Sequence, residues 1–544
     1  MSRESWLSVL GLFAVALVAR AVFAGQVVFP KPEDTAYYVG VARNLVEGRG
    51  LVSDALWSYG TPPLIFPRPA FEVWMPLPTF LAAIPMLVLG PTFQAAQVSS
   101  VLIGATVPVL AWRLAADVAA ERGMAPVRAR TIALGTGLTS AVYLPLVLHS
   151  ALPDSTMTFA ALVLGACLLM TRVLREPHDG RLSDLRLLGI GVLLGVAALT
   201  RNEAAWLALT WVLLVVAARG IERPVKVRMI TIVAVVALIV FAPWALRNWS
   251  TFGSPLPGQA VTNAFSVSGF DIFAWNDPPT LSRYLAVGPA RLLEMRVEGL
   301  AHNFGNVLLL PGFPLSAIGL LALPWTARGR AVRPVVVVGL ITFLVTSLVF
   351  PVATTWGTFL HAAGPVHVLI VLSALLALDA ALAALGRRLG WTKEVGWLGA
   401  TMGVATSLLF SVVLLAGFGQ GSRETARLYE ELTDRMAAVD RPLSAPGMRL
   451  MSNFPIWVAE TQRVSTLALP DEPPTDVLDL VSEFGTRYLI LTSPEGDHWP
   501  TDLAAARPGA ECFVPVELGP YADAGEDPLA KTTVYEIGCT GNAP

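Results

Sequence analysis

Four ionisable residues flank apolar runs of this chain: Asp34 in "PEDTAYYVGVARNLVEGRG", Asp154 in "HSALPDSTMTF", Arg201 in "LTRNEAAW" and Arg247 in "PWALRNWSTFGSPLPG". Their types suggest one chemistry. A carboxylate beside an attacking hydroxyl takes its proton as a general base. An arginine at the edge of a bilayer grips a lipid-held phosphate through a planar fork of charge-assisted hydrogen bonds. Each residue also has a plainer reading. Asp34 and Asp154 stand where helix caps belong, Arg201 has Glu203 two residues on as a partner, and Arg247 is placed to snorkel to headgroups. Arg20, costly inside lipid, is expected to snorkel or to face Asp34.

The elements that position these residues are membrane helices. Of 544 residues, 54% are hydrophobic and 14% charged, against roughly 25% charged in ordinary soluble domains. The net charge of -2 argues for neither nucleic acid nor a basic partner. Runs of bilayer length fall at 5–24, 94–112, 131–149, 155–174, 186–200, 203–219, 229–246, 306–326, 334–352, 359–385 and 396–418. The expectation is a polytopic α-helical membrane protein of about 11 transmembrane helices. Basic residues gather in alternate connections: Arg113, Arg122, Arg128 and Arg130; Arg172, Arg175, Arg181 and Arg186; Arg219, Arg223, Lys226 and Arg228; Arg328, Arg330 and Arg333; Arg387, Arg388 and Lys393. By the positive-inside rule these connections are cytoplasmic. Loops 25–75 and 248–305 and the tail after 418 then lie outside, and all four ionisable residues share the outer face.

Parity requires that "PLPTFLAAIPMLVLG" (Pro76–Gly90), short and with three prolines, lie in the outer interface rather than cross. Within the opening stretch, Tyr38, Val41, Ala42 and Leu45 recur at helical spacing and Gly48 closes the pattern, giving an amphipathic surface helix. The N-terminal run reads as a retained span, although Val22-Phe-Ala24 resembles a processing site. The domain division expected is 1–418, transmembrane, and 419–544, an external helix followed by a small α/β domain built on "RLMSN", "DVLDLVSEFG", "RYLILTS" and "TTVYEIGC". Cys512 and Cys539 fall in that domain, where a disulfide and two free thiols are both open. Cys167 lies within an apolar run and reads as packing.

Taken in order and on one face, these motifs, with "RPAFEVWMPLPTFLAAI" closing the first external loop, resemble the GT-C glycosyltransferases, the broad group of protein mannosyltransferases and the aminoarabinose transferase that modifies lipid A. The resemblance spans roughly residues 1–385. It implies a multi-pass protein of the cell membrane, its active site and C-terminal domain extracytoplasmic, and a first external loop with two interface helices. It implies transfer of a sugar from a polyprenyl-phosphate donor to an acceptor hydroxyl of a lipid, glycan or protein, usually with inversion. Asp34 would be the base and Asp154 the second acidic residue. Arg68, Arg201 and Arg247 would hold the lipid phosphate, and Tyr38 and His361, in "WGTFLHAAG", would line the substrate. The large luminal insert of the protein mannosyltransferases is lacking, which weakens the case for a protein acceptor. A divalent metal near Asp34 and Asp154 is compatible, though no cluster with ligand spacing compels one. The alternative class, a lipid-linked sugar flippase or transporter, would put ionisable residues in mid-span and show repeated halves. Here the charges gather at external helix ends.

Overall fold

The structure is a computed structural model that describes residues 3–175, 181–258, 260–391, 395–492, 498–521 and 525–539. Lys393, at the end of the last basic connection, lies outside the described residues. Among those described, six helices are long and apolar enough to cross a bilayer: Trp6–Ala24, Phe93–Glu121, Thr156–Arg175, Arg223–Phe252, Gly364–Arg388 and Gly396–Ala438. The expected spans at 203–219 and 334–352 are helical over Ala204–Ala217 and Arg333–Leu348. The segment 306–326 is not a straight span. Helix continues to Gly312, and Leu315–Thr326 then leaves it at 119°, because Pro311 and Pro314 remove backbone donors at the junction.

Helix α1 covers Arg3–Ala24. Arg20, expected to snorkel or to meet Asp34, does neither. It is fully buried and ties α1 to its neighbours, donating from Nε to Ser150 Oγ at 2.9 Å and from Nη1 to the carbonyl of Ala141 at 3.0 Å. Helix α2, Glu33–Val46, follows Pro32 and ends before Gly48, whose φ of 82° suits a glycine. Its buried side includes Tyr38, Val41 and Ala42, as the spacing requires, and Tyr37 with them, while Leu45 is only partly buried. Helix α3, Leu77–Leu89, has 13 residues, about 20 Å at 1.5 Å per residue against a hydrocarbon core of about 30 Å. That length suits an interfacial element.

The last span and the amphipathic segment after it are one helix, Gly396–Ala438, of 43 residues and about 65 Å. It carries the C-terminal region well beyond the bilayer. There, strands β4 (Arg449–Ser452), β5 (Ser465–Ala468), β6 (Tyr488–Thr492), β7 (Phe513–Pro515) and β8 (Thr532–Ile537) form a mixed sheet. β5, β4 and β6 run parallel, joined through the helices Pro455–Gln462 and Pro474–Phe484, so β6 is buried along its whole length. Cys512 and Cys539 are joined in a disulfide; Cys167 is buried and free.

This sheet is completed from the loop that follows α1 and α2. After β1 (Val52–Ser53), β2 (Ala55–Leu56) adds to the sheet edge parallel to β5, Ala55 opposite Thr466; β1 itself pairs with β3 (Arg68–Pro69). Side chains reinforce the junction. Glu33 Oε1 accepts from the Ile456 N–H at 3.0 Å, Arg463 pairs with Glu47 at 2.7 Å, and Arg43 pairs with Glu460. The second loop is held likewise, because Glu472 accepts from the backbone N–H groups of Trp275 and Asn276 at 2.7 and 2.8 Å. Loops 25–75 and 248–305 are thus both clamped by the C-terminal sheet and its helices, and α2 is fixed in place.

Candidate active site

Three segments far apart in sequence meet at the start of α2. The first is α2, whose N-cap is Pro32 with no side-chain cap bond. Asp34 is therefore not the cap that its position suggested, and its carboxylate is free for other partners. The second is the turn before helix Thr156–Arg175, carrying His149 and Asp154. The third is the short helix Thr358–Ala362, carrying His361.

His361 stands between the two aspartates. Its Nε2 lies 3.4 Å from Asp34 Oδ2, and its Nδ1 lies 3.7 Å from Asp154 Oδ2 and 2.7 Å from Thr156 Oγ1. Asp154 is nearly sealed. Its Oδ1 accepts from the Thr156 N–H at 2.7 Å in an Asx turn, while its Oδ2 faces His149 Nδ1 at 3.3 Å. The cap-like reading of Asp154 is thus satisfied by one oxygen, and the other serves the cluster. Asp34 keeps 30% of its side chain exposed, and the nearby Trp74 indole favours its ionised form.

The environments separate the two carboxyls. Burial pushes Asp34 up to about 6, helped by the charge of Asp154 and opposed by Arg201 and Trp74. Burial also acts upward on Asp154, but the hydrogen bond and charge of His149, the charge of His361 and the Thr156 N–H outweigh it and lower its pKa. His361 is pressed down to about 3, chiefly by burial, with Arg201 and His149 adding to the effect and Asp154 opposing it. Near neutral pH this places a neutral imidazole between an ionised, enclosed carboxylate and an accessible one of raised basicity. Pairs of titratable groups driven apart in this way mark acid–base sites.

The remaining candidates divide. Tyr38 is buried, and its hydroxyl feels the charges of Asp34, Asp154 and Arg201. Arg201 donates to both oxygens of Glu203 at 3.0 and 2.7 Å and to Ser155 Oγ at 2.8 Å. Its charge acts on Asp34, but its fork is already filled, which argues against the expected phosphate contact. Arg68 is a clearer correction. It is fully buried, its Nε on Glu72 Oε1 at 3.1 Å and its other donors on the carbonyls of Thr61 and Pro63 at 2.8 and 3.3 Å. It braces the loop and presents no surface to a phosphate. Arg247 lies over the Trp244 and Phe252 rings at 4.9 and 5.2 Å, and its Nη1 donates to the Ala70 carbonyl at 2.9 Å and to Asn248 Oδ1 at 3.1 Å. Among the described residues nothing accepts from its Nε or Nη2.

His149 and Trp74 belong to the site although sequence reasoning did not single them out. The signal was present: His149 precedes Asp154 by five residues in one turn, and Trp74 lies in the quoted close of the first loop. His149, Asp154 and His361 place one potential ligand atom each within 4.8 Å of the others, a group able to hold a metal ion. A cavity of about 440 Å³ opens elsewhere, against the far end of α2, between Arg43, Glu47, Glu460 and Arg463. It touches none of these site residues.

Comparison with known proteins agrees with this architecture. Residues 68–246, less than half of the chain, match the family described as dolichyl-phosphate-mannose-protein mannosyltransferase. No curated protein sequence matches. Among solved structures, ArnT from Cupriavidus metallidurans bound to undecaprenyl phosphate aligns with a TM-score of 0.59 at 13% identity over 100% of both chains. AglB, the archaeal oligosaccharyltransferase from Archaeoglobus fulgidus, solved with an inhibitory peptide and a dolichol-phosphate, aligns with a TM-score of 0.57 at 13% identity, over 94% of this chain and 72% of that one. The Archaeoglobus fulgidus oligosaccharyltransferase in complex with Zn and sulfate gives 0.55 at 14% identity, over 92% and 71%. The chain has the GT-C fold.

Proposed function

We propose that this GT-C-fold membrane protein transfers a single sugar from a polyprenyl-phosphate donor to an acceptor hydroxyl at the outer face of the membrane, with inversion. The observation that carries the reading is the Asp34–His361–Asp154 cluster. It holds an accessible carboxylate of raised basicity beside a neutral imidazole and an enclosed second carboxylate. The polyprenyl and dolichyl phosphates named with the similar structures support the donor class. The disulfide supports an oxidising, external setting for the C-terminal domain.

Asp34 takes the proton from the acceptor hydroxyl as that oxygen attacks the anomeric carbon. The bond from the anomeric carbon to the phosphate oxygen breaks, and the polyprenyl phosphate leaves with the electron pair. The phosphate is already a good leaving group, so one base and a stabilised departing anion suffice. Arg247, stacked at the outer end of its helix with free donors, is the residue for that anion. His361 and Trp74 orient the Asp34 carboxylate, and Arg201, locked on Glu203, supplies positive potential without touching the donor.

The same reading sets the pH dependence. Only ionised Asp34 accepts a proton, so with its pKa near 6 the rate should fall about tenfold per pH unit below that value and level off above it. Transfer of radiolabel from a panel of polyprenyl-phosphate pentoses and hexoses, followed from pH 4.5 to 8, tests both donor class and base. Label that stays on the lipid with every sugar would refute the function, and a rate that rises towards acid would refute the base.

His149, Asp154 and His361 would hold a divalent cation if one is used. The donor set fits such an ion, since two imidazoles with a carboxylate suit zinc or manganese better than magnesium. Bound there, a cation would add positive charge beside the departing phosphate. Calorimetric titration of the chelator-treated protein with Zn²⁺ should show one site, absent from the His149→Ala, His361→Ala double variant. Equal binding by both proteins would remove the metal from this cluster.

A further inference from the structure

Half of one buried carboxylate in the first external loop is unused. Glu72 is 1% exposed. Its Oε1 accepts from Arg68, and Arg68 is itself tied to the carbonyls of Thr61 and Pro63, so it is not free to turn to the other oxygen. Oε2 is buried and meets no donor among the described residues. A sealed acceptor without a donor is costly, and native proteins retain few.

The placement of Glu72 points to its partner. It lies on a five-residue segment, Ala70 to Trp74, that runs between the two ends of the site. The Ala70 carbonyl accepts from Arg247, and the Trp74 indole acts on the Asp34 carboxylate. Between them Phe71 is held at a φ of 76°, its N–H on the Tyr37 hydroxyl at 2.7 Å. That left-handed conformation is strained for a bulky residue and concentrates at functional sites. The charge of Glu72 reaches Arg247 and Tyr37. Even so, the Arg247 hydrogen bonds go to Ala70 and Asn248 rather than to Glu72. Glu72 and Arg247 are thus electrostatically coupled across one short segment, each with hydrogen-bonding capacity to spare, an arrangement complementary to a ligand with an anion at one end and hydrogen-bond donors at the other.

We infer that Glu72 Oε2 accepts a hydrogen bond from a ring hydroxyl or amino group of the transferred sugar, while Arg247 holds the phosphate of the same donor. This assignment rests on the glycosyl-transfer reading and makes Glu72 the residue that selects the sugar. The oxygen is closed to water, so donor entry must turn a side chain aside. Arg247, half-buried at the membrane edge, is the one a phosphate would draw.

The test uses the full-length protein with the parent donor and a series of deoxy donors, each lacking one hydroxyl or amino group. A site built to bond a polar group rejects the analogue without it by about 10⁴-fold. The wild type should therefore lose about that much kcat/KM at a single ring position, and Glu72→Gln should lose at least about 10²-fold with the parent donor yet match the wild type on that one analogue. Exchanging hydroxyl for amine at the sensitive position distinguishes the two donor groups. Glu72→Asp, which retains the charge beside Arg68, covers the case in which Glu72→Gln does not fold. It should shift the deoxy profile rather than scale it. Equal losses across the whole series would make Glu72 a structural partner of Arg68 and overturn the inference, as would no loss at all. A wild type that transfers no sugar from any donor would overturn the glycosyl-transfer reading itself.

Discussion

Asp34→Asn is expected to lower transfer by about 10²–10⁴-fold, the usual worth of general-base catalysis, while the protein still inserts and binds donor. The amide matches the carboxylate in size and can keep the Trp74 contact, but it cannot take a proton. No capping role confuses the result, since α2 has no side-chain cap bond. Stability should move the other way. The folded pKa of Asp34, about 6, lies above its ordinary value of 3.8, so the folded state holds the proton more tightly. The stability this group contributes is present at acid pH and lost as the pH rises from about 4 to 6. Above that window the wild type retains an ionised carboxylate in a site that disfavours it. Asp34→Asn should therefore melt at an equal or higher temperature at pH 8, as expected where function is kept at the expense of stability. Glu33→Gln is the control. Burial pushes Glu33 up to about 8 against the hydrogen bonds from Ile456 and Trp457, so near pH 7 the substitution alters no charge and turnover should be near normal. Loss in Glu33→Gln with normal turnover in Asp34→Asn would move the base by one residue.

Arg247→Ala should weaken binding of polyprenyl phosphate by about 10–100-fold, as the loss of a charge-assisted contact implies. Arg247→Lys should fall between, because an ammonium keeps the charge but not the planar fork. Arg201→Ala should disturb the site differently: its partners are Glu203 and Ser155, so it should lower turnover more than donor affinity. Fluorescence titration of the three variants with a polyprenyl phosphate separates these cases. Unchanged affinity in Arg247→Ala would assign its guanidinium to packing on Trp244 and Phe252.

The helices were legible because apolar length is a local signal, and the basic connections gave the expectation that the ionisable residues share one face. Convergence was legible only to the level of one membrane face. Nothing between positions 34, 154 and 361 states that an imidazole bridges the two aspartates. That depends on how three helix ends pack. Arg68 was misread because its buried partner Glu72 stands four residues on in a segment without helical periodicity, and position at an external loop said nothing of the carbonyls of Thr61 and Pro63. Arg20 was misread for a related reason, since Ser150 and the Ala141 carbonyl come from other elements. The strand Ala55–Leu56 escaped notice because two residues carry no pattern, and its partner lies about four hundred residues away. The break at Gly312 was foreshadowed by Pro311 and Pro314, but apolar content concealed it.

The most direct measurement follows both halves of one donor. The purified protein is reconstituted into vesicles with a polyprenyl-phosphate sugar labelled in the sugar and, separately, in the lipid, together with a pool of candidate acceptors. Sugar label should pass to an acceptor as free polyprenyl phosphate accumulates one for one, in the wild type but not in Asp34→Asn. Intact donor that crosses the bilayer with both labels still joined, at the same rate in both proteins, would contradict the account and make this chain a carrier of its lipid rather than an enzyme acting on it.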